Sequence, residues 1–261
     1  MHPVILSIGP LEIKAYGLML AIAFWIAILI APRELRRKGI DSEVVPSISL
    51  IVIISSLVGG RVAFVLSHLA EYRRAPLDIL KVWEGGLTFY GGFLLAVVVG
   101  LAYLRRKRVP LLRFCDAVTP ALALGEGITR IGCFVNGCCF GVPTTLPWSV
   151  VFPKGSYADY QFGQVAVHPS QLYSSGAGFL IFILVILLRR RVKRDGSLFM
   201  CLVFLDSCAR ILIDCTRFYE VGSNFGRMIP YALLVVSAAF LVQGFLRRER
   251  GAAVTVPETE Q

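Results

Sequence analysis

The chain has 261 residues, a formal net charge of +10, 56% hydrophobic residues and 17% charged ones. A soluble domain of this size carries about a quarter charged residues. The balance excludes a disordered chain, a solvated basic domain that binds nucleic acid and a disulfide-stapled secreted module, and it points to a polytopic membrane protein.

An apolar run of about 20 residues crosses a bilayer core. Seven spans are predicted, at 13–31, 45–69, 87–104, 112–129, 171–188, 197–216 and 229–246. No basic segment with a small-residue cleavage site precedes the first, so no cleaved signal peptide is expected. The first span opens with AYGLM, where Tyr16 is either an interfacial belt anchor or a pocket residue. The second carries Gly59, Gly60 and Arg61. Glycines there admit a neighbouring backbone or a lipid head group, and the arginine either serves that site or snorkels to the interface. The third opens with WEGGLTFYGG, residues 83–92, in which glycine pairs on both sides clear space around Tyr90. The fourth is the weakest, interrupted by Asp116, Pro120 and Glu126. It runs into EGITRIGCFVNGCCFG, residues 126–141, whose Gly132, Gly137 and Gly141 suggest a broken helix or a tight loop. Irregular backbone at membrane depth survives only where it lines a cavity or is buried in protein.

The sixth span holds Asp206, Arg210, Asp214 and Arg217, spaced i, i+4, i+8 and i+11 along one helix stripe. An ionisable residue inside a span costs at least about 2.5 kcal/mol. Two readings stand: a self-neutralising ladder that fixes helix packing, or a polar cavity faced by Arg210, oriented by Asp214, with Arg217 near the outer interface. Cys201, Cys208 and Cys215 recur every seven residues on a roughly opposite stripe, a spacing that lets helices pack closely in lipid.

Counting Lys and Arg in the loops orients the chain. The loops after the first, third and fifth spans, with the C-terminal segment, carry 17, and the opposite set carries seven. The expected fold is therefore all-α, with seven transmembrane helices, a periplasmic N-terminus and a cytoplasmic C-terminus. Residues 1–250 form one integral membrane domain with an extracytoplasmic loop at about 130–170, and 251–261 are a polar tail.

Within 126–141, Glu126 and Arg130 are i, i+4, and Arg130 offers a planar fork of donors suited to phosphate. Asn136 both donates and accepts. Cys133, Cys138 and Cys139 are metal ligands with His168, partners of a disulfide that involves Cys133, or a reactive thiolate beside Arg130. The Cys-x4-Cys-Cys spacing is not a usual zinc pattern, so no metal and no cofactor are expected. Arg61, Arg130 and Arg210 come from three spans and lie towards the outer half. Three arginines there suit an anionic phospholipid head group better than a transported cation, and no span carries a proton-relay series of acids.

The chain resembles the prolipoprotein diacylglyceryl transferases of bacterial inner membranes. The likeness covers nearly the whole length, through PVILSIGPLEIKAYGLM, the GGR of the second span, EGGLTFYGG, TRIGCFVNG, HPSQLY and ARILIDCTR, in matching order and spacing. It implies transfer of the diacylglyceryl group from phosphatidylglycerol to the lipobox cysteine thiol of a prolipoprotein, forming a thioether and releasing glycerol phosphate. It also implies that Arg130 and Arg210 match two essential arginines, and that Tyr16, Arg61, Asn136, Gly141 and Arg217 match further motif positions. The chain departs from the family pattern at Tyr90, where a histidine proposed as a base is usual, and at Cys133 and Cys138, where asparagine and glutamate are usual. Asp214 stands for a glutamate. An unperturbed tyrosine, pKa about 10, is a poor base at neutral pH. Tyr90 is nonetheless placed in the catalytic set, and Cys138 and Asp214 in the lipid pocket. The alternatives are a paralogous transferase with another donor or acceptor, and a non-catalytic lipid-binding homologue.

Overall fold

A computed structural model describes residues 4–8, 11–73, 75–81, 85–219 and 224–253, without the side chains of 6–8, 11–13, 224–225 and 247–253. Met1–Pro3, Gly9 and Pro10 of the opening segment, Trp83 and Glu84, and residues 254–261 of the expected tail lie outside the described residues.

The chain is mostly helical. Strand β1 (Val4–Ile8) pairs antiparallel with β2 (Leu11–Lys14), Ile8 opposite Leu11 and Val4 opposite Lys14, so a short hairpin precedes the helices expected from sequence. The helices are α1 (Ala15–Arg37), α2 (Val44–Ser67), α3 (Leu69–Tyr72), α4 (Phe89–Arg106), α5 (Leu111–Asn136), α6 (Tyr157–Phe162), α7 (Ser170–Leu188), α8 (Ser197–Asp214) and α9 (Asn224–Ala253). Each predicted span falls on one of the seven long helices. Six of these, α1, α2, α4, α5, α7 and residues 226–246 of α9, are long and apolar enough to cross a membrane. Helix α8 carries Asp206, Arg210 and Asp214 and is not among the six.

The helices divide into two compact units, one of Met1–Ala27 with Val118–Gln261 and one of Ile28–Ala117. In the second, α2 lies against α4 through residues almost without side chains. A Cβ on Gly91 would collide with Ala63 Cβ and the Gly59 carbonyl, and one on Gly92 would lie 2.6 Å from the Ser56 carbonyl. Such close backbone contact supplies the packing that apolar burial cannot supply in lipid. Val44, Ile48 and Leu104 form the core at one end, with Tyr103, Val109 and Phe114 against it. Asp116, a break in the sequence pattern, is buried and takes an ion pair from Lys38 at 2.8 Å.

In the first unit α8 packs against both α7 and α9. Ala123 of α5, Ile181 and Val185 of α7, and Leu198 and Leu202 of α8 form one buried cluster. Where α5 meets α7, a Cβ on Gly178 would lie 2.8 Å from Gly127 N, and Ser175 Oγ donates to the Gly127 carbonyl at 2.8 Å. Helix α5 continues through Pro120 and Gly132 to Asn136, so the break expected within 126–141 occurs only at Gly137.

Residues 137–169 fold into an ordered segment. Val150 and Val167 exchange both backbone hydrogen bonds at 3.0 Å, Gly141 N donates to His168 O at 2.9 Å, and Val142 N donates to Thr216 O at 2.9 Å. Phe140, Phe152, Ala158 and Val167 form its buried core, and the Phe140 ring stacks on Phe218 at 5.9 Å. The segment is thereby tied to the start of α7 and to the residues that follow α8.

Candidate functional site

The last turns of α5 carry the first half of the site. Arg130 Nη2 meets Glu126 Oε1 at 3.3 Å, the i, i+4 pair expected from sequence. Past Asn136 the chain reverses, with φ +75° at Gly137 and +62° at Cys139. A non-glycine residue held at positive φ costs on the order of 1–3 kcal/mol and persists where its surroundings over-determine it. Here Cys138 N donates to Cys133 O at 3.2 Å, and the buried Gln171 donates to Cys138 O at 2.7 Å. The reversal brings the Sγ atoms of Cys133, Cys138 and Cys139 within 4.8 Å of one another. Asn136 lies beside Cys138. Tyr16, at the head of α1, has Arg130 and all three thiols as electrostatic neighbours. Its Cα would be 3.3 Å from a Cβ on Gly132. Hydrogen bonds from the Cys133 and Cys138 thiols pull the Cys139 thiol below its ordinary pKa, against burial, with Arg217 and Arg130 adding to the effect.

Helix α8 carries the second half. Arg210 Nε meets Asp214 Oδ1 at 3.0 Å, so two of the four charges of the sixth predicted span are paired along the helix. Asp206 sits beside the Glu126 carboxyl, with Arg130 and Arg210 both in its electrostatic field. The Asp206 carboxyl thus lies in the field of guanidiniums from two helices, Arg130 paired with Glu126 and Arg210 paired with Asp214. Beyond the helix end, Tyr219 Oη donates to Asp214 Oδ1 at 2.6 Å and accepts from Arg210 Nη2 at 3.0 Å. Burial, and then this bond to Asp214, push the Tyr219 phenol above its ordinary pKa, so it stays a proton donor at neutral pH. Arg217 and Arg227 lie against the Tyr219 ring, at 5.4 and 5.5 Å.

Gly141 pairs with Arg217 in an antiparallel bridge, and a Cβ there would strike Thr216 O, His168 Cβ and Ser170 Oγ. Its place is set by lack of room. His168, considered as a fourth metal ligand, does not join the thiol cluster, and its Nδ1 lies 3.3 Å from Tyr173 Oη.

Arg61 and Tyr90 belong to the other unit. Arg61 is buried, and its guanidinium donates to the carbonyls of Asp78 (2.6 Å), Ile79 (2.8 Å), Gly85 (2.7 Å) and Gly86 (3.1 Å), with the Tyr72 ring 5.4 Å away. Tyr90 stands in the first turn of α4, 67% exposed, its ring edge-on to Phe89 at 5.8 Å.

Sequence reasoning missed Tyr219, which follows α8 with no motif of its own, and the meeting of Glu126 with Asp206. The i+5 spacing of Tyr219 from Asp214 was the only local hint.

Fold and site together define a multi-pass helical membrane protein with a cluster of paired guanidiniums and carboxyls. Comparison with known proteins gives the family. The prolipoprotein diacylglyceryl transferase profile matches residues 3–244, and the chain belongs to that family. Its relatives include proteins named phosphatidylglycerol–prolipoprotein diacylglyceryl transferase in several bacteria. The one from Thermotoga maritima is 35% identical, over 92% of this chain and 82% of its own. That from Bordetella bronchiseptica is 33% identical, over 90% and 92%. That from Fusobacterium nucleatum is 31% identical, over 92% and 97%.

Proposed function

We propose that this chain transfers the diacylglyceryl group of phosphatidylglycerol to the lipobox cysteine of prolipoproteins in a bacterial inner membrane. The observation that carries the reading is Arg130 and Arg210 sharing the electrostatic field of Asp206, beside Glu126, in a chain that the family profile matches over residues 3–244. In the reaction the lipobox sulfur bonds to the glyceryl carbon, the carbon–oxygen bond to phosphate breaks, and its electron pair leaves on glycerol phosphate. Negative charge grows on the phosphate oxygens. Guanidiniums already in place in a water-poor site stabilise that charge without reorganising. Their positive field also favours the attacking thiolate over the thiol, whose ordinary pKa is about 8.5.

In this proposal Arg130 and Arg210 hold the phosphate, and Asp214 with Tyr219 orients Arg210. Tyr16, Asn136, Cys138 and Arg217 shape the pocket around it, and Gly141 fixes the loop. Arg61 positions Asp78, Ile79, Gly85 and Gly86, the last two shortly before Tyr90 at the head of α4. Tyr90 presents its phenol to the lipid. Helix α8 completes the set of seven spans, with Arg210 and Asp214 paired along it, and the excess of basic residues in alternate loops supports a periplasmic N-terminus and a cytoplasmic C-terminus.

A second reading, a related lipid transferase with another donor or acceptor, draws on Cys133 and Cys138 standing where the family pattern has asparagine and glutamate. It makes Cys138→Ser inactive, whereas the leading reading tolerates that change.

Expression in a bacterium depleted of its own transferase tests the proposal. The wild-type chain is expected to restore growth and lipid-modified lipoproteins, and Arg130→Ala or Arg210→Ala is not. Unmodified precursor accumulating beside a normal membrane level of the wild-type chain would refute it.

A further inference from the structure

The three thiols at the end of α5 form a cluster to which the proposed transfer assigns no bond-making or bond-breaking step. We propose that Cys133, Cys138 and Cys139 bind one monovalent copper ion as a three-coordinate thiolate centre. This inference does not depend on the transferase reading.

The geometry is already assembled. All three Sγ atoms lie within 4.8 Å of one another, with Cys133 buried and the other two half-buried. The backbone that aims them is held in an uncommon shape, with positive φ at Gly137 and Cys139, and the Cys138 carbonyl is pinned by the buried Gln171. Thiolate sulfur selects soft ions such as Cu(I) and Zn. Zinc in a structural site takes four ligands, and His168 does not join the three sulfurs, its ring being turned to Tyr173. Three sulfurs alone suit an ion content with trigonal coordination. Charge points the same way. Three thiolates around a monovalent ion carry two net negative charges, and two guanidiniums, Arg130 and Arg217, lie in the electrostatic field of Cys139. On binding, each thiol gives its sulfur lone pair to the ion and releases its proton to solvent. Copper stays monovalent throughout.

The test uses the full chain, reduced and purified in detergent, loaded anaerobically with the Cu(I)–acetonitrile complex and then gel-filtered. One copper per chain is expected to remain, and X-ray absorption should count three sulfur neighbours. Cys133→Ser and Cys139→Ser should each lower affinity at least about tenfold in competition with a Cu(I) chelator. A Cys201→Ser, Cys208→Ser, Cys215→Ser variant should retain the ion. Failure of the wild type to hold copper, a shell of fewer than three sulfurs, or equal retention by Cys139→Ser would overturn the site. The wild-type sulfur count decides the question even if a variant does not fold.

Discussion

The hydroxyl of Tyr219 donates to Oδ1 of Asp214 at 2.6 Å, the same oxygen that Arg210 Nε meets at 3.0 Å. One carboxylate oxygen thus receives both a phenol and a guanidinium, while Arg210 Nη2 reaches back to the phenol oxygen. The closed triangle restricts Arg210 to one rotamer. Preorganisation of this kind lets a cation stabilise developing charge at no further cost.

Tyr219→Phe removes one hydrogen bond to a charged group and the acceptor of another. Such bonds contribute about 1.5–3 kcal/mol, and each 1.36 kcal/mol is about tenfold in rate. We expect kcat to fall about tenfold or more with KM for phosphatidylglycerol nearly unchanged, and with a modest drop in thermal stability. Steady-state kinetics in mixed micelles would check it. An unaltered kcat would mean that Tyr219 does not position Arg210.

Arg130→Lys and Arg210→Lys keep the charge but lose the planar fork. Removal of one preorganised donor to a developing oxyanion costs about 10²–10³ in kcat. Losses in that range are expected for each lysine variant, measured as initial rates on a lipobox peptide. Full activity of either would show that point charge alone suffices.

Arg61→Ala leaves the carbonyls of Asp78, Ile79, Gly85 and Gly86 without their shared donor. A buried group left unsatisfied costs about 1–3 kcal/mol. The variant should unfold at a clearly lower temperature in detergent, followed by intrinsic fluorescence, and Arg61→Lys should recover only part of the loss because one ammonium cannot span four acceptors. Wild-type thermal stability in Arg61→Ala would contradict the bracing role.

Two glycines of α4 separate packing from propensity. Gly91→Ala drives a methyl into Ala63 and the Gly59 carbonyl, whereas a Cβ on Gly100 meets nothing within 4 Å. Gly91→Ala is expected to lower the yield of monodisperse protein. Gly100→Ala is expected to be neutral or slightly stabilising, since alanine is favoured over glycine in a helix by about 1 kcal/mol. Equal behaviour of the two in size-exclusion profiles would argue against close α2–α4 packing.

The helices were legible because each long apolar run leaves a strong local signal, and every predicted span falls on a long helix. Pro120 and Gly132 looked like breaks, yet α5 runs through both, because its neighbours stabilise it in ways that a sequence does not display. Arg130 with Glu126 and Arg210 with Asp214 were readable as i, i+4 partners. The Asp206–Glu126 meeting was not, since it joins residues 80 positions apart. Gly59 and Gly60 suggested close approach of either a neighbouring backbone or a lipid head group. The structure sets Gly59 against the Gly91 backbone and turns Arg61 onto the carbonyls of Asp78, Ile79, Gly85 and Gly86, relationships fixed by tertiary contact rather than by local pattern.

The most direct measurement is mass spectrometry of a lipobox peptide incubated with the purified chain and phosphatidylglycerol. The account predicts a diacylglyceryl increment on the peptide cysteine, stoichiometric release of glycerol phosphate, and neither product with Arg130→Ala or Arg210→Ala. A peptide left unmodified by the wild-type chain, beside a Thermotoga maritima relative that modifies it, would contradict the account.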